Sequence, residues 1–310
     1  MATNSETLLK SARGTFPVIA DPSARADFYL KFWVDDFDAS TPSWQQPYVR
    51  GLGHRVFAGF DAKSSVLADL RTRRMIGRFS AAMAADAAYW RRVVFPVLTS
   101  IVAGSIGMVE LHASCVAKDR LGVILLGPSR SGKSTLAMAL TKAGFQLLSD
   151  DRVFCFLQSG KVLASGLPRP LKLRREAVDW FEELRDQPPS VAPNGDRVFY
   201  CEANQRGEAP DGLTCEPQAL IFLEQEPDPA FRMKRMCRSE TISQIDGDLI
   251  AETPEAVATQ TEVLDHLALL PCWRLQYGGN PQSVAARIAS RIFGNSHLNN
   301  HEHSEPGEFI

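Results

Sequence analysis

GVILLGPSRSGKSTLAMALTKAGFQLLSDD, which spans residues 122–151, carries the strongest structural signal in the chain. Its apolar run 123–126 predicts a buried strand that leads directly into a glycine-rich loop. Residues 133–143 have helical spacing, and the glycine that follows them is typical of a helix C-terminus. A second apolar run, 145–148, predicts a strand that ends at a pair of aspartates. The segment therefore predicts a strand, a loop, a helix and a returning strand, which is an α/β arrangement.

The loop fits the pattern G-x-x-x-x-G-K-[S/T], which cradles the phosphates of a nucleotide. Its residues are Gly127, Pro128, Ser129, Arg130, Ser131, Gly132, Lys133 and Ser134, followed by Thr135. Glycines let the backbone turn its N–H groups inward, and the helix N-terminus adds the positive end of a dipole. We expect Lys133 to bind the β- and γ-phosphates, Ser134 to bind Mg²⁺ and Thr135 to add a phosphate contact. The predicted cofactors are therefore ATP and Mg²⁺.

The two aspartates, Asp150 and Asp151, are expected to lie beside this loop. A helix of about 11 residues rises roughly 16 Å away from the loop, and a strand of about five residues returns roughly the same distance. One carboxylate there can hold Mg²⁺ while the other accepts the proton of an attacking hydroxyl. The spacing does not say which aspartate does which, and an aspartate that only caps the turn also fits it.

The sequence predicts a small N-terminal α+β region at 1–92, a catalytic domain at 93–294 and a disordered tail at 295–310. Residues 28–34 and 48–60 are predicted as strands, 67–90 as a helix, and the uncharged run 93–109 as a buried helix that leads into a strand rather than a membrane span. Downstream, the sequence predicts a strand at 108–117, a hairpin at 152–164, a helix at 174–185, a long loop at 186–217, a strand at 219–223, a helix at 254–270, a strand at 273–276 and a helix at 281–293.

The composition is that of a globular protein with a real core, since 45% of its 310 residues are hydrophobic. The net charge of −2 argues against a broad nucleic-acid surface. The six cysteines show no C-x-x-C or metal-finger spacing, and the N-terminus shows no secretory signal. We therefore expect a reduced, cytoplasmic protein whose cysteines are small buried apolar groups, with no membrane or nucleic-acid partner.

The run LHASCVA at 111–117, taken with 122–151, resembles the catalytic domain of HPr kinase/phosphorylase and the kinases related to it. Those kinases place a histidine shortly before the phosphate loop and an aspartate pair one helix and one strand after it, as His112 and Asp150–Asp151 are spaced here. The similarity covers roughly residues 95–290 and is strong at 111–151. It implies a P-loop-containing core shared with phosphoenolpyruvate carboxykinases, not the doubly wound P-loop fold.

By this resemblance Asp150 is the general base, Asp151 helps to hold Mg²⁺ and His112 lies near the phosphates. The stretch 165–175, SGLPRPLKLRR, lacks the Glu-Leu-Arg-Gly signature of HPr kinase proper, whose glutamate is a metal partner. This departure weighs against HPr as the substrate and against a reverse phosphorylase activity. Kinases of modified-peptide gene clusters, including those that phosphorylate a serine of lasso precursor peptides, are more similar in this stretch.

Two arginines complete the candidate catalytic residues. Arg169 belongs to a basic cluster with Lys172, Arg174 and Arg175. It is expected to neutralise the transferring phosphoryl charge or to bind an acidic substrate. Arg197 lies in the predicted long loop and is expected to close over the γ-phosphate. The alternative for the cluster is a solvated helix start whose positive charges lie together.

The sequence thus favours an ATP-dependent kinase that phosphorylates a hydroxyl, with a serine of a peptide or protein as the expected acceptor. A nucleotide-dependent ATPase or switch protein and a kinase of a small-molecule hydroxyl remain as alternatives. A carboxykinase-like enzyme is a weaker one, because no second metal set with histidine and lysine ligands is found. Homo-oligomers are common in the resembled family, so the resemblance also implies a homo-oligomer.

Overall fold

The computed structural model describes residues 1–16, 26–35, 44, 46–167, 170–192, 195–202, 214–245, 247–248 and 253–294. In these residues the fold is mixed α/β, with a six-stranded, a ten-stranded and a three-stranded sheet. Arg169 and the tail 295–310 lie outside the described residues, so what the sequence predicts for them stays a prediction.

The N-terminal region forms the six-stranded sheet and the helices that cover one of its faces. Its elements are β1 (Ala2–Thr3), α1 (Glu6–Arg13), β2 (Tyr29–Asp35), β3 (Tyr48–Leu52), β4 (Arg55–Gly59), β5 (Ser65–Asp69), β6 (Arg74–Ser80), α2 (Ala81–Ala85), α3 (Ala87–Tyr89), a π-helical turn at Trp90–Val94 and α4 (Phe95–Ala103). The strand order is β1-β2-β6-β5-β4-β3. Phe32, Phe79 and Trp90 are buried at the centre of this core, with ring centroids of Phe79 and Trp90 4.6 Å apart.

The helix predicted at 67–90 is wrong over most of its length, because β5 and β6 occupy residues 65–69 and 74–80. Val66 and Ala68 are buried whereas Leu67 between them is exposed. This alternation has the period of two that a strand with one covered face requires. Alanine and arginine favour a helix locally, but packing of the alternate residues on one side of a sheet outweighs that preference.

The ten-stranded sheet contains the segment at 122–151. Its elements and the helices around it are β7 (Met108–Leu111), β8 (Ser114–Lys118), β9 (Leu121–Leu126), α5 (Lys133–Lys142), β10 (Gln146–Ser149), β11 (Val153–Gln158), β12 (Lys161–Gly166), β16 (Thr214–Gln225), β17 (Phe231–Arg235), α6 (Arg238–Gln244), β18 (Gly247–Asp248), α7 (Pro254–Leu267), β19 (Cys272–Tyr277) and α8 (Pro281–Phe293). Strands β9, β16 and β19 are parallel neighbours, whereas β8 and β10 continue the sheet in antiparallel pairing.

The strand predicted at 108–117 is two strands in the structure, β7 and β8, which are interrupted at His112 and Ala113. They pair with different partners, since β7 pairs with β11 and β8 pairs with β9 and β10. The break therefore places His112 at a junction between two parts of the sheet.

Two predictions for residues 174–217 are wrong. The helix expected at 174–185 is a pair of short 3₁₀ turns, Arg175–Asp179 and Glu182–Leu184, because Phe181 between them is extended. The long loop expected at 186–217 contains β14 (Ser190–Val191) and β15 (Arg197–Cys201), and β16 already begins within it. Together with β13 (Leu171–Leu173), these two strands form the three-stranded sheet in the order β13-β15-β14.

Helix α4 connects the two larger sheets. Its buried residues pack into the N-terminal core, and a short 3₁₀ turn, Gly104–Ile106, leads from it to β7. The uncharged run 93–109 is thus a buried helix followed by a strand. None of the helices in the described ranges combines the length and the apolar character that a membrane crossing requires. All six cysteines are unpaired by disulfides, and four of them are buried.

Candidate active site

The glycine-rich loop connects the end of β9 to the start of α5. Gly132 directly precedes the helix with φ 86°, and Gly127 opens the loop with φ 141°. A Cβ on Gly132 would lie 2.0 Å from the Tyr277 hydroxyl, and one on Gly127 would lie 2.9 Å from the Leu223 carbonyl oxygen. Glycine is therefore required at both positions for steric reasons as well as for its backbone conformation.

Lys133 lies in the first turn of α5 and is buried beneath the loop. Its Nζ donates hydrogen bonds to the carbonyl oxygens of Gly127 at 2.7 Å and of Pro128 at 3.1 Å. Burial lowers the pKa of the Lys133 ammonium, while the carboxylates of Asp151 and Asp150 act in the opposite direction. A buried cation whose hydrogen bonds go to neutral carbonyl oxygens gains from an anion that enters the loop.

Further donors of the loop suit an anion. The first N–H groups of a helix such as α5 have no partner within the helix, and its N-terminus carries the positive end of the dipole. The Ser131 hydroxyl is buried without a hydrogen-bond partner in the described part of the chain. The Ser131 carbonyl oxygen, in contrast, accepts a hydrogen bond of 2.8 Å from the Tyr277 hydroxyl, which fixes the loop against β19.

Asp150 follows β10 and is almost completely buried, with 3% of its surface exposed. Its Oδ1 accepts hydrogen bonds from the hydroxyls of Ser114 at 2.6 Å and Ser134 at 3.0 Å, and its Oδ2 accepts one from the Lys172 backbone N–H at 3.3 Å. Burial raises the pKa of the Asp150 carboxyl, and the charge of Asp151 acts in the same direction, whereas the hydrogen bonds oppose both. The helix and the returning strand thus bring this carboxylate to the hydroxyl of Ser134.

Asp151 is in a different environment, although it is the next residue. Its side chain is about half exposed, and its Oδ1 lies 3.2 Å from Nδ1 of His112. Its φ of 74° places it in the left-handed region, which aspartate tolerates better than most residues. The adjacent Arg152 bonds to the buried Glu110 at 2.5 Å and to Ser100 of α4 at 2.5 Å, so the aspartate turn is tied to β7 and to α4.

These residues line a cleft of about 570 Å³. Four cations contribute to its walls, namely Arg130, Lys133, Lys172 and Arg174. The side chain of Trp180 lines the same cleft and is partly exposed, while its carbonyl oxygen accepts a hydrogen bond of 2.8 Å from Gln282 at the start of α8. Three carboxylates, those of Asp150, Asp151 and Glu176, also line the cleft, so that four cations face three carboxylates. The cations and the one exposed aromatic ring fit an elongated anion that carries a flat apolar group.

The structure brings together most of the residues that the sequence singled out. His112, Ser129, Arg130, Gly132, Lys133, Ser134, Thr135, Asp150 and Asp151 line the cleft, and Gly127, Pro128 and Ser131 belong to the loop beneath it. Arg197 is not among the lining residues, since it is exposed on β15, where it pairs in register with Val191. Its neighbour Asp196 contacts the cleft through an ion pair of 2.9 Å with Arg174.

Sequence reasoning missed Ser114, Tyr277 and Trp180. Ser114 lies two residues after His112 on a recognised strand, and a hydroxyl near a predicted site histidine was the available signal. Tyr277 and Trp180 lie far along the chain from the loop, and no local pattern connects them with it. Their place in the site follows only from the pairing of β19 with β16 and from the packing of the 3₁₀ turns.

The donor set at the loop fits Mg²⁺. Ser134 and Asp150 offer hydroxyl and carboxylate oxygens, which are the ligand types that this hard cation prefers, usually together with phosphate oxygens and water. The described residues contain no group of three or more histidine, cysteine, aspartate or glutamate side chains that could hold a metal ion. The protein ligands of such a site would therefore be few, with Ser134 and one of the two aspartates as the candidates.

Comparisons with known proteins give little beyond this geometry. No family model and no curated protein sequence matches the chain. Among solved structures, the HPr(Ser) kinase/phosphatase from Coxiella burnetii matches at 16% sequence identity with a TM-score of 0.30, over 63% of this chain and 99% of that one. A similarity at this level carries no argument, and the case for a function rests on the site itself.

Proposed function

We propose that this chain is an ATP-dependent kinase that transfers the γ-phosphoryl group to a hydroxyl, with a serine of a peptide or protein as the acceptor. The HPr kinase-like and carboxykinase-like core, which the family resemblance implies, is part of this proposal. The observation that carries it is the contact between the Asp150 carboxylate and the Ser134 hydroxyl at the mouth of the G-x-x-x-x-G-K-S loop. That contact joins an anion-binding loop to an acidic group in one cleft, as phosphoryl transfer requires.

The nucleotide would be bound mainly by charge and by backbone donors. Lys133 exchanges its two carbonyl partners for the β- and γ-phosphate oxygens, and the α5 N-terminus donates to the same groups. Arg130 and Arg174 add positive charge at the walls, and Trp180 offers a ring on which the base stacks. Mg²⁺, when bound, supplies charge neutralisation at the transferring phosphoryl group.

The surroundings of the two aspartates support a division of roles opposite to the one implied by the family resemblance. Asp150 is buried and bonded to Ser134, the expected Mg²⁺ ligand, so it suits the metal. Asp151 is half exposed in the cleft beside His112, so it can reach the hydroxyl of an incoming acceptor. We therefore propose Asp150 as the metal-side carboxylate and Asp151 as the general base.

Two substitutions distinguish these assignments. With Asp150 at the metal, Asp150→Asn raises the Mg²⁺ concentration for half-maximal activity at least about tenfold. Asp151→Asn lowers kcat by about 10²–10⁴-fold, with an unchanged Mg²⁺ requirement. The reverse pattern would restore the assignment of Asp150 as base and Asp151 as metal ligand.

The kinase reaction is tested with γ-labelled ATP, Mg²⁺ and a library of serine-containing synthetic peptides. Label in a peptide, confirmed by mass spectrometry as an added phosphate, is the expected result. Label in neither peptide nor free phosphate, with a folded protein, would contradict both phosphoryl transfer and hydrolysis.

A nucleotide-dependent ATPase is the second candidate function. The half-exposed Asp151 favours it, because a carboxylate accessible to solvent can orient water as well as an acceptor hydroxyl. In the labelling experiment an ATPase releases free phosphate at a rate that no peptide changes, whereas a kinase diverts the label to its acceptor.

A further inference from the structure

The six-stranded N-terminal sheet presents an exposed apolar face. Thirteen large apolar side chains are exposed in the described residues. Seven of them lie on this one face: Tyr29, Trp33, Tyr48, Leu52, Phe57, Leu67 and Ile76. Concentration of exposed apolar side chains on a single surface is typical of an interaction site, whereas scattered ones need no explanation.

The strand register shows how these side chains are arranged. Lys31 pairs with Ile76, Ile76 with Leu67, Leu67 with Phe57, and Phe57 with Arg50. Paired residues project from the same face of a sheet, so three apolar side chains form a central stripe with a cation at each end. Five strands span roughly 19 Å at the usual strand spacing, which is wide enough to receive one amphipathic segment.

Residues of the same strands that point to the opposite face form the N-terminal core. Val56, Ala58, Val66, Ala68 and Met75 are all buried there. The sheet is therefore anchored by its covered face, and side chains on the exposed face are not needed to hold the strands together. This leaves the exposed face available for a partner.

Within the described ranges this face carries more cations than carboxylates, although the whole chain has a net charge of −2. Its cations are Lys31, Arg50, Arg55, Arg74 and Arg78, and its carboxylates in the described residues are Asp35 and Asp69. Asp35 pairs with Arg78 at 2.5 Å, and Asp69 accepts hydrogen bonds from the backbone of its own turn and lies 3.8 Å from His54. Because charges across an interface are usually complementary, the excess positive charge favours an acidic partner.

We propose that this face binds an acidic amphipathic segment of a partner polypeptide, whose apolar side chains lie on the Ile76–Leu67–Phe57 stripe and whose carboxylates meet the surrounding cations. A second copy of the face is disfavoured as the occupant, because two surfaces of the same charge repel each other. Single-stranded nucleic acid is disfavoured because Leu67 and Ile76, which pair at the centre of the face, are aliphatic and offer no ring on which a base could stack. The proposal does not depend on the kinase activity.

The test uses a defined probe, a fluorescein-labelled helical peptide with leucines at i, i+3, i+4 and i+7 and glutamates at the other positions. Its control replaces every glutamate with lysine and keeps the leucines. Fluorescence anisotropy with the full chain is expected to show binding of the acidic peptide only. The affinity is expected to fall at least about tenfold between about 50 mM and about 500 mM NaCl, because salt screens the charge contribution.

Variants locate the binding to the face. The double substitution Leu67→Ser and Phe57→Ser, and separately the pair Arg50→Glu and Arg55→Glu, are each expected to weaken binding at least about tenfold. The matched control is Val257→Ser with Leu269→Ser, which removes two exposed apolar side chains elsewhere and should leave binding unchanged. Circular dichroism and Tm verify that each variant is folded.

Several outcomes would overturn the proposal. They are equal binding of the acidic and basic peptides, no binding of either, or binding that the face variants do not weaken. Tighter binding of a uridine oligonucleotide or of anionic phospholipid vesicles than of the acidic peptide would assign the face to nucleic acid or to a membrane. Dimerisation that the face variants abolish would assign it to a second copy. Since no nucleotide is present, failure here is distinct from failure of the kinase assay.

Discussion

The N-terminal sheet and the ten-stranded sheet are covered in different ways. In the N-terminal sheet the residues alternate between a packed face and an exposed one, and Leu67 and Ile76 stand on the exposed face. In the larger sheet, strand β9 is buried along nearly its whole length, and the polar groups gather where it ends. Our proposals therefore place the chemistry at the ends of buried strands and the binding of a partner on an exposed sheet face. Changes in the two regions should affect separate measurements.

The largest effect is expected from Gly132→Ala in the cleft. The new Cβ would lie 2.0 Å from the Tyr277 hydroxyl and would be strained at φ 86°, so the loop must move. We expect a fall in phosphate transfer of at least about 100-fold and a Tm lowered by several degrees.

Gly144→Ala is the control for this change. Its φ of 93° imposes a similar backbone strain, but a Cβ there meets nothing within 4 Å. The comparison would fail if Gly144→Ala reduced transfer as much as Gly132→Ala, because steric fit against Tyr277 would then not matter.

Asp150→Asn should separate activity from stability. At a fixed Mg²⁺ concentration, transfer is expected to fall by about 10–100-fold because the proposed metal-side carboxylate is lost, while the Tm near neutral pH stays the same or rises by up to about 3 °C. The reason is that burial raises the pKa of Asp150 in the folded state, so the ionised carboxylate is held there at a cost.

The change in Tm caused by Asp150→Asn should depend on pH. A raised pKa means that the folded state binds the proton more tightly, so the stability contributed by protonated Asp150 is present below the unfolded pKa and is lost as the pH rises through the folded pKa. The Tm advantage of the variant should therefore be largest near neutral pH and should shrink in acid, as measured by scanning calorimetry. An Asp150→Asn variant that is much less stable than the wild type at neutral pH would contradict this prediction.

Trp180→Ala is expected to weaken ATP binding about tenfold or more, since base stacking on an aromatic ring contributes about 1–3 kcal/mol. Trp180→Phe should keep most of the affinity. The measurement is the KM for ATP together with tripolyphosphate affinity, which lacks the base and should be the same in both variants. A loss of tripolyphosphate binding in Trp180→Ala would place the ring at the phosphates instead.

The smallest effect on the cleft is expected from Leu67→Ser on the sheet face. An exposed substitution of this kind usually changes the free energy of unfolding by less than about 0.5 kcal/mol. ATP affinity and transfer should remain at wild-type values. A large change in the KM for ATP would show that the two regions are not independent.

The periodicity of the sequence correctly predicted the helix that follows the glycine-rich loop and the last helix of the described residues. The helix expected at 133–143 runs from Lys133 to Lys142, and the helix expected at 281–293 has the predicted bounds. Each has strong periodicity with a start signal, the glycine-rich loop in one case and an asparagine followed by proline in the other. In residues 67–80, composition favoured a helix, and only the pairing of β5 with β4 and β6 decides for strands.

The site could be predicted as far as its parts are neighbours in sequence. The distance from Lys133 to Asp150 follows from one helix and one strand, whose lengths the sequence gives. Tyr277 reaches the Ser131 carbonyl only because β19 lies beside β16 and β16 beside β9. The unequal burial of Asp150 and Asp151 likewise depends on Ser114 and on the backbone of Lys172, which no spacing rule connects with them.

The central claim is that one loop, its lysine and an acidic group surround the same triphosphate. The most direct measurement is a calorimetric titration of MgATP into the wild type, Lys133→Ala and the control Lys142→Ala, whose lysine pairs with Glu183 at the other end of α5. We predict at least about 100-fold weaker binding for Lys133→Ala, since a buried charge-assisted contact is lost, and wild-type affinity for Lys142→Ala. Equal affinity for all three proteins would contradict it.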